Sequence, residues 1–147
     1  MLPQWNSNFS VNHSIIDEQH KRLFKLASQV YTLDANAATK HRISLLMREF
    51  YDYMKSHFKD EEEYMKTIGY PKLDEHKRQH EEIVESLNKT IKEASSFKQI
   101  RISLKEIVKK WLVEHILKHD LEYERWRKKE RKSRANLQKN AEFKSLS

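Results

Sequence analysis

Two pairs of side chains in the middle of the chain have the spacing and the chemistry to hold a metal ion: His57 with Glu61, and His76 with His80. Residues four apart lie one turn above the other on the same face of an α-helix, so each pair offers two convergent donors. Gly69-Tyr70-Pro71 falls between the pairs. Glycine can end one helix in the left-handed conformation and proline can open the next with its φ already set. So short a connection makes the two helices antiparallel neighbours. Three imidazoles and one carboxylate suit iron, zinc, copper or manganese rather than a thiolate site. Either pair alone is most often an ordinary solvated helix face. Joined by one tight turn, they make a candidate centre.

The elements that must position these donors read as helices. Charged residues make up 35% of the 147 residues, with a single Gly and only two Pro. That composition predicts one all-α domain with short connections and argues against a many-stranded β fold. The lack of cysteine excludes disulfides, iron–sulfur clusters and thiolate zinc sites. No apolar run approaches the roughly 20 residues of a membrane span, and no basic stretch followed by an apolar one opens the chain. A soluble, cytoplasmic protein is therefore expected. Residues 121–147 hold nine Lys or Arg against four Glu, and so carry +5 of the net charge of +7.

Residues 1–13, with Pro3, Trp5 and Phe9 and no helical period, read as an ordered arm whose aromatics cover one end or flank of a bundle. The first helix is expected to start near Ser14, with Asp17 three residues on completing a capping box. Its apolar stripe is Ile16, Leu23, Phe24, Ala27, Val30 and Tyr31, and His20 sits on that stripe. Residues 34–40 read as the first connection. The second helix, about 41–66, carries Ile43, Leu46, Met47, Phe50, Met54, His57, Glu61, Tyr64 and Met65 on one face. Both of its donors thus point inward, where an unpaired carboxylate is costly unless a cation is present. Asp60, Glu62 and Glu63 read as solvated charge.

The third helix, about 72–93, has Leu73, His76, His80, Ile83, Val84, Leu87 and Ile91 as its inner face. Ser95 or Ser96 can cap a fourth, whose stripe is Ile100, Leu104, Ile107, Val108, Trp111, Leu112 and His115. Past that point the period leaves a choice. His119 is four residues from His115 and its natural partner, while Asp120 is five away and about 140° round an α-helix. Asp120 could still reach inward from the shoulder of the stripe, or a local bulge could realign it. Spacing leaves both open. Seven inward donors from four directions are too many for one ion and can be shared by two.

In this order, over roughly residues 5–123, four segments resemble the hemerythrins, and most of all the single-domain bacteriohemerythrins. They are Asp17-Glu18-Gln19-His20, His57-Phe58-x-x-Glu61-Glu62, His76-x-x-x-His80 and Trp111-Leu112-x-x-His115-Ile116-x-x-x-Asp120. The resemblance implies an antiparallel, up-down four-helix bundle over residues 1–123, with a basic helical or disordered C-terminal extension over 124–147. It also implies two non-haem irons, with His76, His80 and His115 on one, His20 and His57 on the other, Glu61 and Asp120 bridging, and an oxo or hydroxo bridge from solvent. Asp120 is thereby chosen over His119, and His13, His41 and His119 are left as surface residues.

On that implication the iron with three imidazoles is coordinatively closed and the other keeps one position open for dioxygen. A reversible oxygen carrier, store or sensor follows rather than an enzyme. The competing reading is the same cofactor acting on peroxide, nitric oxide or ferrous iron. Trp111, Leu112, Ile116 and Phe58 line the oxygen pocket by the same resemblance, and Phe24 and Ile83 can help close it, in addition to packing the core. A monomer is expected. The basic extension could contact an anionic partner and resembles a nucleic-acid or anionic-lipid patch, but most such runs are solvated helix ends or disordered tails. The sequence offers no strong evidence for nucleic acid or membrane, and the family pattern assigns the extension no role.

Overall fold

The helical periods of the sequence become four rods. The computed structural model describes residues 2–33, 39–93 and 95–146. The rods are α1 (Ser14–Tyr31), α2 (Thr39–Thr67), α3 (Leu73–Glu93) and a composite fourth. That last rod runs through α4 (Phe97–Ile107), two π-helical segments (Val108–Val113 and Ile116–Asp120) and α5 (Leu121–Leu146). Each rod packs against the next and α4 closes against α1, giving an all-α four-helix bundle. No strand occurs among the described residues, and no described helix is long and apolar enough to cross a membrane. The expected first connection lies largely outside the described residues, which resume with α2 at Thr39.

Local chemistry sets the helix ends. The cap of α1 is His13, whose Nδ1 accepts from the Ile16 amide at 3.2 Å, so the expected Ser14 cap is one residue late. Asp17 instead turns back to the arm, accepting from the Val11 amide at 2.9 Å and the Ser10 hydroxyl at 2.6 Å. Ser96 caps α4 by accepting from the Gln99 amide. At the turn after α2, Gly69 takes φ 73°, the Tyr70 amide donates to the Met65 carbonyl and the Gly69 amide to the Lys66 carbonyl. This 6→1 and 5→2 pair satisfies two carbonyls that the helix end would otherwise leave open, and only a residue tolerant of positive φ fits there.

The core is split into two apolar layers. The larger includes Leu23, Phe24, Met54, Phe58, Ile83, Leu112 and Ile116; the smaller is Val11, Ile16, Met65, Tyr70 and Tyr123. Every rod contributes to both layers or their margins, and every rod places its polar donors between them: His20 lies between Ile16 and Leu23, Glu61 between Phe58 and Met65, and Asp120 between Ile116 and Tyr123. The arm behaves as its aromatics imply. Phe9 is buried and stacks on Phe24 at 5.7 Å, and Trp5 packs on the same layer. One expected core residue fails: Ile91 is 38% exposed, because α3 runs a turn beyond Leu87, its last buried residue.

Candidate metal centre

His20, His57, Glu61, His76, His80, His115 and Asp120 all lie in the polar layer, none more than 5% exposed. Stacking at i and i+4 explains the pairs on α2 and α3. Asp120 reaches the layer by a different route. Its segment is π-wound from Ile116, which narrows the angle between residues five apart. Asp120 Oδ1 comes within 3.1 Å of His115 Nε2, while His119 is left half-buried beside the layer.

The two carboxylates share out the five imidazoles. Glu61 Oε1 faces His76 Nε2 at 3.2 Å and His80 Nε2 at 3.0 Å. Its Oε2 faces His20 Nε2 at 3.4 Å and His57 Nε2 at 3.5 Å. Asp120 Oδ1 lies 3.0 Å from His76 Nε2 and 3.1 Å from His115 Nε2, while its Oδ2 lies 3.3 Å from His20 Nε2. The donors fall into two groups close enough to hold an ion each: Glu61, His76, His80, His115 and Asp120, and His20, His57 and Glu61.

The donor chemistry fits cations of the first transition row. All five rings present Nε2 inward, and no thiolate is available. His20 Nε2, His80 Nε2 and Asp120 Oδ1 are buried without a hydrogen bond of acceptable geometry, despite their short approaches. His76 and His115 bring their Nε2 atoms to 3.1 Å. Two neutral lone pairs repel at that distance, so a proton or a cation must stand between such groups.

Outer partners hold two of the rings in the right tautomer. His57 Nδ1 meets Gln19 Oε1 at 2.7 Å, and the Gln19 amide nitrogen donates to Asp60 at 2.8 Å, which fixes the amide's orientation. His80 Nδ1 meets Glu62 Oε2 at 3.1 Å. An imidazole that donates from Nδ1 turns a bare Nε2 inward, the usual arrangement behind a metal-ligating histidine. Asp60 and Glu62 are thus more than solvated charge. Tyr123, fully buried, donates to Glu61 Oε2 at 3.4 Å.

Electrostatics reflect the crowding. Burial lowers the His20 pKa, but the Asp120 and Glu61 carboxylates outweigh it and raise it to about 9. The same contest takes His76 up to about 10 and raises His80, where Glu61 and Glu62 oppose burial. His57 falls to about 3, since burial and the neighbouring His20 charge exceed the pull of Glu61. Burial favours protonated carboxyls, yet His20, His76 and His80 hold Glu61 well below its ordinary range. His115 and His20 do the same for Asp120, against burial and the Glu61 charge.

Of the pocket candidates, Phe58, Leu112 and Ile116 are buried in the larger layer. Phe58 stacks on His80 at 3.8 Å with the planes 6° apart, and its ring also meets His57 and His115. Phe24 and Ile83 belong to the same layer. Trp111 is half-buried and lines a surface cleft of about 510 Å³ with His115 and His119. Of the three histidines expected at the surface only His41 is exposed. His13 is the α1 cap and packs on Tyr64 at 4.5 Å, and half-buried His119 lies 5.3 Å from the His115 ring. Gln19, Glu62 and Tyr123 are given no role by the sequence, although Gln19 and Glu62 stand in the family-like segments beside His20 and Glu61, and Tyr123 falls three residues after Asp120.

The hemerythrin HHE cation binding domain matches residues 11–126. The chain is 34% identical over 125 residues to a bacteriohemerythrin of Clostridium acetobutylicum, covering 81% of this chain and 96% of that one. It is 36% identical over 120 residues to a myohemerythrin of Theromyzon tessulatum, covering 82% and 89%. A hemerythrin-like protein of Naegleria gruberi is 30% identical over 119 residues, covering 81% and 88%. With a matched span that takes in all seven members of the inward polar layer, the chain belongs to the hemerythrin HHE cation binding domain family.

Proposed function

We propose that this protein binds dioxygen reversibly at a non-haem di-iron centre, as a carrier, store or sensor. In this reading His76, His80 and His115 hold one iron, His20 and His57 hold the other, and Glu61 and Asp120 reach both. The observation that carries it is the division of each carboxylate between the two groups of imidazoles, Glu61 Oε1 toward His76 and His80 and Glu61 Oε2 toward His20 and His57. Two ferrous ions held by these residues would supply the two electrons that dioxygen takes on binding and returns on release.

The protein's part is to bind, orient and keep dry. Gln19 and Glu62 hold the Nδ1 protons of His57 and His80, so that the Nε2 lone pairs stay available. Tyr123 donates to Glu61 Oε2 and restrains that carboxylate's rotation. The group built on His20 and His57 offers one imidazole fewer, so an ion held there would keep room for an outside ligand. Phe58, Leu112 and Ile116 exclude water from the centre, which slows proton delivery and favours release of dioxygen unchanged. Five imidazoles with only two carboxylates also make a site less anionic than carboxylate-rich di-iron oxidases, which disfavours high-valent iron.

The test is a metal count with the visible spectrum before oxygen, after oxygen, and after oxygen is removed. Two irons per chain and return to the starting spectrum are expected. Rapid passage to a spectrum that removal of oxygen does not reverse would overturn the carrier reading in favour of an enzyme acting on peroxide, nitric oxide or ferrous iron. The same reading takes the protein to be a cytoplasmic monomer, checked by cell fractionation and by sedimentation.

A further inference from the structure

The family match ends at residue 126, but α5 runs on to Leu146, and residues 128–142 are exposed throughout. From Arg125 to Arg134, seven of ten residues are Lys or Arg and one, Glu130, is acidic. Arg125, Lys128, Lys129, Lys132 and Lys139 recur at i, i+3, i+4, i+7 and i+14, so they share one helix face. All five are exposed. At a rise of about 1.5 Å per residue the stripe is about 21 Å long. Glu124, the nearest preceding acid, is buried and bound to Arg127 and Asn12. Arg125–Lys129, Arg127–Arg131 and Lys128–Lys132 are like-charge pairs at i,i+4, a spacing at which they repel and weaken the helix unless an anion lies across them.

We propose that the Arg125–Lys139 stripe of α5 is a docking surface for duplex DNA, gripping its phosphates independently of sequence. Charge complementarity selects a polyanion, and the rest of the helix selects which. A helix lying on a membrane needs an apolar face, and the one large apolar side chain in residues 128–142 is Leu137. Single strands are held by stacking bases on exposed aromatics. That segment has none, and Trp126 is half-buried against Tyr70 at 5.6 Å. The major groove of duplex RNA is too narrow for a helix. That of DNA, about 12 Å wide, admits one of about 10–12 Å diameter, with phosphates along both edges.

The experiment uses the full-length, metal-loaded protein and fluorescence anisotropy with a labelled DNA duplex over a range of salt. Expected is a dissociation constant of about 10⁻⁴–10⁻⁶ M near physiological salt, with log affinity falling against log salt at a slope of about −4 to −5 for five phosphate contacts. A variant with Lys128→Gln, Lys129→Gln, Lys132→Gln and Lys139→Gln should flatten that slope by about 3 to 4. A control neutralising Lys25, Lys59, Lys89 and Lys109 on the bundle should leave it in place. Both variants should keep wild-type iron content, and neither should melt below the wild type. Equal loss in the two variants, no duplex binding at low salt, or equal or tighter binding to single-stranded DNA, duplex RNA or phosphatidylserine vesicles would each overturn the proposal.

Discussion

Asp120 Oδ1 stands 3.1 Å from His115 Nε2 across a five-residue separation. In a regular α-helix the two side chains would point about 140° apart, and His119 would take the inward place. The π winding from Ile116 to Asp120 narrows that offset. It gives up regular i→i+4 hydrogen bonding to bring a carboxylate, rather than another imidazole, into the centre. A carboxylate can face two cations at once, and an imidazole nitrogen cannot.

Asp120→Ala is therefore expected to lower metal affinity at least 10-fold and to leave fewer than two irons per chain, since it removes both oxygens. His119→Ala, which removes a half-buried side chain outside the polar layer, should retain two. Metal analysis after dialysis distinguishes the pair. Equal losses would mean that the fourth rod is registered differently in solution.

Gln19 and Glu62 touch no inward atom, yet each fixes a ring that does. Gln19→Leu and Glu62→Leu should each weaken metal binding about 10- to 100-fold while the bundle stays folded. Competition with a chelator measures the first quantity and far-ultraviolet circular dichroism checks the second. Wild-type affinity in both variants would remove the outer partners from the account.

The metal-free protein should show opposite pH trends in stability and in metal uptake. His20 and His76 have folded pKa values of about 9 and 10, above the unfolded value of about 6.5. Their contribution to stability is complete below about 6.5 and is lost as pH rises through the folded values. His57, depressed to about 3, is neutral in both states above about 6.5 and adds nothing in that window. Melting temperature should thus fall on going from about pH 6.5 toward 9. Ferrous iron or zinc must displace the same protons, so uptake should release them into a weakly buffered solution and tighten as pH rises. Melting that rises with pH, together with no proton release, would contradict the charge states drawn here.

Phe58 serves the core and the centre together. Phe58→Ala should cost about 3–5 kcal/mol by leaving a cavity, read as a lower denaturation midpoint. It should also admit water beside His57, His80 and His115, so that the oxygenated protein passes faster to a form that removal of oxygen does not reverse. A destabilised variant with unchanged oxidation rate would leave Phe58 a packing residue only.

Much of this protein could be read along the chain. The periods of α1 to α4, the Gly69 turn and the inward stations of His20, His57, Glu61, His76, His80 and His115 depend on spacing within one helix. Spacing of that kind is local, and it survives whatever the other helices do. The basic run after Leu121 could be read too, though the choice between helix and disorder could not.

What needed the tertiary structure were relations between rods and departures from regular winding. The Asp120 register depends on a π segment that no residue type announces. His13 displaces Ser14 as a cap because the arm's backbone aims its ring at the Ile16 amide, while Asp17 is drawn off by Ser10 and Val11. Glu62 and Gln19 find His80 and His57 only after α2 has been set against α3 and α1. Spacing along the helices sent six of the donors inward and left the seventh open between His119 and Asp120. Only the packed bundle decided which oxygen meets which nitrogen, because those distances depend on how four helices are rotated and wound against one another.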